Sequence, residues 1–160
     1  MNILWISQNV PYPPKTGALQ RNFNLIREAS RTGQVTLLAI QQEGVLPTHV
    51  DLDEARLELG KFCQKIEIVE LPIESSRLLF LAVLLKSVIT ADPFSVNWTK
   101  SAEMTDAITR LMRETDFDVI HYDTISMAAH HHLAGVTPKA LNHHNIESHL
   151  IKRRAKIEKN

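Results

Sequence analysis

The sequence predicts an α/β fold: a Rossmann-like, doubly wound parallel sheet of about five strands flanked by helices. Three observations predict it. Short apolar segments at 2–7, 34–40, 65–71, 118–123 and 139–144 have strand character, and helical segments separate them. Strands that alternate with helices are joined by right-handed crossovers and lie parallel. At 160 residues and 44% hydrophobic, the chain is also long enough for one such domain with a core of its own.

Each element has its own signal. "NILWIS" (2–7) is a short apolar run, and the loop "QNVPYPPKTG" (8–17) carries three prolines that forbid regular structure. Thr16 is placed to cap a helix over 17–32, in which Leu19, Phe23 and Ile26 recur at helical spacing. "QVTLLAI" (34–40) is the second strand. From Asp51 to Phe62 acids alternate with Leu52, Ala55, Leu59 and Phe62, an amphipathic helix. "KIEIVEL" (65–71) alternates at period two and stops at Pro72.

A helix near 75–89 follows, and "TADPFSVNW" (90–98) reads as an irregular loop. Residues 100–115 form a helix with Met104, Ala107, Ile108 and Leu111 inward. "DVIHYD" (118–123) and "KALNHH" (139–144) are strands four and five, with a short helix near 124–134 between them and Gly135 and Pro138 at its exit. The last helix starts near Glu147 and runs out as "IKRRAKIEKN". That charged ending has the look of a cut at a domain border.

Composition narrows the function classes. Eighteen basic residues balance eighteen acidic ones, so no global field draws the chain to nucleic acid or to an anionic membrane. The single Cys63 makes no internal disulfide framework and fits a reducing, cytoplasmic setting. Met1 leads into "NILWIS" without the basic region and cleavage site of a secretory signal. "LLFLAVLL" (78–85), closed by Lys86, falls short of the roughly 20 apolar residues of a spanning helix. A buried helix is the expectation there, with peripheral contact at the inner face of a membrane as the alternative.

In an open parallel sheet, ligands bind beyond the carboxyl ends of the strands, near the point where strand order reverses. A strand order of 3-2-1-4-5 brings three unusual stretches there. The proline loop delivers Lys15, Gly17 and Arg21 to a helix N-terminus, where free N–H groups and the dipole favour an anion. It has neither GxGxxG nor GK[ST], and it also reads as an ordinary βα loop, with Arg21 simply solvated. His121 and Asp123 share one face of strand four while Tyr122 points the other way. Asp123 either binds a hydroxyl or caps the next helix. Strand five ends in "HHNIE", offering His144, Asn145 and Glu147.

No metal is expected. Successive helical residues diverge by about 100°, so "HHH" at 130–132 cannot converge on one ion, and His143 and His144 face opposite sides of a strand. CxxC and HExxH are absent from the sequence.

With those residues in view, the chain resembles the N-terminal half of a GT-B glycosyltransferase, in the large retaining group often called family 4 or group 1. The resemblance rests on "MNILWISQNVPYPPKTGALQRNFNLIREASRTGQVTLLAI", on "FDVIHYDT", and on "LNHHNIES" with "IKRR", similar to the His-Asn-x-Glu segment of bacterial sugar transferases. The order and spacing of these stretches carry it, over essentially all 160 residues. It implies that residues 1–160 are the acceptor-side domain and that a C-terminal domain gripping the nucleotide-sugar completes the cleft. It implies a nucleotide-sugar donor as substrate, no separate cofactor, and a glycan, lipid-linked or small-molecule acceptor. Many members carry a second histidine two residues beyond the first in the strand-four motif. Asp123 stands there in this chain, so that role is not carried over, and His144 is the replacement candidate.

The expectation is therefore sugar transfer with retention, by the whole two-domain enzyme and not by this half alone. Gly17 is placed at the donor's phosphate side, Asp123 and His144 near the reacting sugar or acceptor, and Glu147 orienting His144 or a hydroxyl. The alternatives are a stand-alone flavodoxin-like or receiver-like binding module and half of a sugar-nucleotide epimerase of the same architecture. A receiver needs an acidic cluster after strand one, and "SQNVPYPP" has none.

Overall fold

The computed structural model describes residues 1–41, 51–71, 76–90 and 92–142, together with positions 149, 152, 153, 156 and 157. Five strands, β1 (Asn2–Ser7), β2 (Gln34–Gln41), β3 (Cys63–Glu70), β4 (Val119–Tyr122) and β5 (Lys139–Leu141), form one sheet. Its order is β3-β2-β1-β4-β5 and every pairing is parallel. The helices are α1 (Gly17–Ala29), α2 (Leu52–Leu59), α3 (Arg77–Thr90), α4 (Phe94–Thr99) and α5 (Ala102–Glu114), with a 3-10 helix at Met127–Ala134. This is the Rossmann-like doubly wound arrangement: the chain winds outward from β1 to β3, then returns to β4 on the other side of β1.

Period-two alternation along the central strands builds a core on each face of the sheet. Leu4, Ile6, Leu38, Ile40, Ile120 and Tyr122 pack on one face with Met104, Ile108 and Leu111 of α5. Ile3, Trp5, Val35, Leu37 and Ala39 pack on the other with Ile26 of α1 and Ala55 and Leu59 of α2. Both faces of β1 and β2 are therefore covered. Cys63 lies in the second core, where burial pushes its thiol up to about 12.

Local chemistry explains the element ends. The Thr16 hydroxyl accepts from the Leu19 amide at 3.4 Å, and Ser101 caps α5 the same way through Met104 at 3.2 Å. Asp51 accepts from the amides of Asp53 and Glu54 at the start of α2. Gly33, in the turn into β2, lies under the Met1 carbonyl, and an added Cβ would stand only 2.5 Å from that oxygen. Only glycine lets β1 and β2 begin side by side.

Two sequence expectations change. The 90–98 stretch is not irregular: α4 occupies Phe94–Thr99, with Pro93 at its N-cap. Pro93 has no N–H to lose there and its fixed φ starts a helix readily. The short helix after β4 is a 3-10 helix, and of the strand expected over 139–144 the described residues form Lys139–Leu141, with 143 and 144 outside them. The larger correction concerns α3, expected to be buried. None of its residues is buried. Apolar composition on every side of a helix carries no period to say which side faces in, and here Phe80, Val83 and Ser87 turn toward the body.

Candidate functional site at the carboxyl ends of β1, β4 and β5

The reversal of strand order lies between β1 and β4. Backbone pairing continues one residue past each strand there. The Asp123 amide donates to the Ile6 carbonyl at 3.0 Å, and the Asn142 amide donates to the Tyr122 carbonyl at 2.9 Å. Asp123 is thereby set beside Ser7, with Asn142 on its other side.

A buried polar network ties these ends to α1. The Trp5 indole N–H donates to Asn22 Oδ1 at 2.8 Å. The Asn22 amide donates to Ser7 Oγ at 2.6 Å and to Asp123 Oδ2 at 3.1 Å. Ser7 in turn donates to the Asn9 carbonyl at 2.6 Å, so its proton is committed away from Asp123, which lies 3.5 Å off. Asp123 is only 5% exposed and Asn22 only 2%. Burying such groups costs free energy unless each is bonded, and here each has a partner in the network. The carboxylate is held in one orientation by a neighbouring amide. When ionised, it can only accept hydrogen bonds, which suits it to a ligand hydroxyl.

Two further layers surround this core. The Trp5 ring stacks on His121 with centroids 3.6 Å apart and planes 20° from parallel, fixing the imidazole plane. Gln8 Oε1 accepts from Thr124 Oγ1 at 3.1 Å and Ser126 Oγ at 3.0 Å, which locks the loop after β4 to the loop after β1. At the rim, Arg21 Nη2 donates to Asn142 Oδ1 at 2.9 Å, joining α1 to the end of β5.

His121, Asp123 and Arg21 thus belong to one bonded and stacked group at the carboxyl ends of these strands. Asp123 is not the cap of the following helix, whose N-cap is Ser126. Arg21 bonds an amide rather than an acid. Lys15 and Gly17 are exposed and stand outside the network. An added Cβ at Gly17 meets nothing within 4 Å, so neither space nor backbone demands glycine there. His144, Asn145 and Glu147 lie outside the described residues. Lys152, Arg153 and Lys156 are helical and exposed.

The histidine run divides as helical geometry requires. His130 is buried, while His131 and His132 face solvent. Burial lowers the His130 pKa, opposed in part by its contact with the Met127 carbonyl. Tyr122, on the opposite face of β4, has its hydroxyl pushed up to about 12 by burial, and that oxygen has no hydrogen-bond partner among the described residues. Among the described residues no group of three His, Cys, Asp or Glu side chains is placed to hold a metal ion.

Sequence reasoning missed Trp5, Ser7, Asn22 and Asn142. Asn22 had a readable signal. It sits three positions after Leu19 and four before Ile26, on the buried stripe of α1. A polar residue on a buried stripe needs a partner, and strand ends are where partners are found.

No family model matches this chain, and the searches of curated proteins and of solved structures return no match. Among the described residues, no helix is long and apolar enough to cross a membrane.

Proposed function

We propose that this chain is the acceptor-side half of a retaining glycosyltransferase, with Asp123 holding a hydroxyl of the reacting sugar or the acceptor. The observation that carries the reading is the buried Trp5–Asn22–Ser7–Asp123 network at the point of strand reversal. A fold asks only for a turn at that place. A carboxylate held by an amide in a nearly dry site is a preorganised acceptor, and interactions of that kind count for far more there than in water. His121, stacked on Trp5, lines the same side of β4.

In this reading the donor half of the cleft is supplied by a second domain, and the diphosphate leaving group is stabilised by helix N-termini and cations. The helix-initial position of Gly17 and the exposed Lys15 lie on the side such a group would approach. His144 and Glu147 are carried in this proposal on sequence alone.

The test is thermal unfolding of the two-domain protein against a panel of nucleotide-sugars. A ligand that binds only the folded state at 100 times its Kd adds about 2.7 kcal/mol of stability, a rise of several degrees. In the same protein Asp123→Asn keeps an acceptor oxygen for Asn22, yet turnover should fall on the order of 100-fold. No shift with any nucleotide-sugar, or full turnover in a folded Asp123→Asn variant, ends the reading.

A further inference from the structure

Helix α3 is the most anomalous surface of the molecule. It touches the body along one line: Phe80 meets Phe94 with ring centroids 5.4 Å apart, Val83 packs against the core, and Ser87 Oγ accepts from Asn97 at 3.0 Å. Residues 80, 83 and 87 share one side of a helix. The opposite side holds Leu78, Leu81, Leu85, Val88 and Ile89, of which Leu78 is 79% and Ile89 82% exposed. Leu79 and Leu84 widen that face at its shoulders. Contiguous apolar surface of this kind marks a place where something docks.

The charges say what docks. Arg77 and Lys86 are nine positions apart, which puts them on opposite flanks of the outward face. α3 contains no Asp or Glu. Asp92, just beyond it, is engaged with Lys100 at 3.9 Å. Apolar width with cations on both margins complements the acyl boundary and anionic headgroups of a bilayer. A protein groove, by contrast, takes a narrow stripe at heptad-like spacing. At 14 residues α3 is about 21 Å long, too short to span a hydrocarbon core but suited to lying in its surface.

We propose that the outward face of α3 docks in the plane of an anionic lipid surface, with Leu78, Leu81, Leu85, Val88 and Ile89 at the acyl boundary and Arg77 and Lys86 among the headgroups. The site edge is carried with it. α3 rests on α4, Thr99 of α4 donates to the Ser126 carbonyl at 3.2 Å, and Ser126 donates to Gln8 in the loop after β1. The inference does not rest on sugar transfer, because lipid binding is read without any sugar present.

The experiment is flotation of the purified protein with vesicles of phosphatidylcholine mixed with phosphatidylglycerol, against phosphatidylcholine alone. The protein is expected to float with the mixed vesicles. The double variant Leu85→Glu with Ile89→Glu, at positions 63% and 82% exposed, should lower partitioning on the order of 100-fold. Lys86→Gln should lower it about fivefold, on anionic vesicles only. Unchanged thermal unfolding of both variants confirms that folding is intact. The proposal is overturned if the unaltered protein floats with neither vesicle or if the double variant floats equally well. It is equally overturned if sedimentation shows a dimer that the double variant dissolves without any lipid binding, since a second copy then covers α3.

Discussion

Two regions of the molecule invert the usual distribution of polarity in opposite senses. Around β1 and β4 an amide, a hydroxyl and a carboxylate are buried beside an indole. A short distance along the chain, α3 keeps leucines, valine and isoleucine in water. The buried region is complete, in that its groups satisfy one another and its geometry is fixed from within. The exposed region has no internal partner for its outward face among the described residues, and only an external surface relieves it. One is defined by what it holds in place and the other by what it leaves uncovered.

Asn22→Leu breaks the comparison most sharply. It removes three hydrogen bonds and leaves Trp5, Ser7 and Asp123 short of partners, so unfolding in urea should show a loss of about 3 kcal/mol. A loss under about 1 kcal/mol would mean that the network is ornamental to the fold.

His130 supplies the next largest effect. Its pKa is lowered in the folded state, so the unfolded chain binds more protons and stability falls as pH drops below the ordinary histidine value. The slope from this group cannot exceed about 1.4 kcal/mol per pH unit. Comparing unfolding at about pH 7.5 and about pH 5.5 should show a smaller pH dependence in His130→Gln than in the unaltered protein. Equal dependence in both would remove His130 as a buried neutral group.

Tyr122→Phe sharpens the contrast with Asn22 from the other face of the sheet. The phenol oxygen is buried without a partner among the described residues, so its removal should leave stability unchanged or raise it by about 1 kcal/mol. A clear loss would reveal a hydrogen bond that the Tyr122 oxygen makes in solution. The smallest effect belongs to α3. Leu85→Ser should alter stability by no more than about 0.5 kcal/mol, because that side chain is 63% exposed. A core-sized loss would place α3 inside a larger folded unit.

Strand count, strand order and the inward faces of α1, α2 and α5 were legible in the sequence, because period-two and period-3.6 patterns survive wherever one side is buried. Met104, Ala107, Ile108 and Leu111 are the buried residues of α5, as their spacing predicts. The helix at Phe94–Thr99 was not read because its 6 residues are too few to show a helical period. α3 was misjudged because uniform apolarity cannot distinguish a buried helix from one that awaits a surface. Of the site, Asp123 and His121 were legible as polar residues on one side of a strand end. Ser7 and Asn142 were not, since single polar residues at strand ends are common and only tertiary pairing singles them out.

The placement of β1 at the middle of the sheet has a consequence for the order of events in folding. Asn2 pairs with Gln34, only 32 positions on, whereas Ile3 pairs with Val119, 116 positions on. Closing the longer loop costs about 1 kcal/mol more in chain entropy than closing the shorter one, before any contact rewards it. During synthesis β1 and β2 emerge and can associate while β4 is still unmade. The Asn22 amide can meet Ser7 at once, and only its bond to Asp123 must wait for β4. A chain interrupted before β4 therefore keeps three of the five strands and the Trp5–Asn22–Ser7 part of the network, but not the carboxylate.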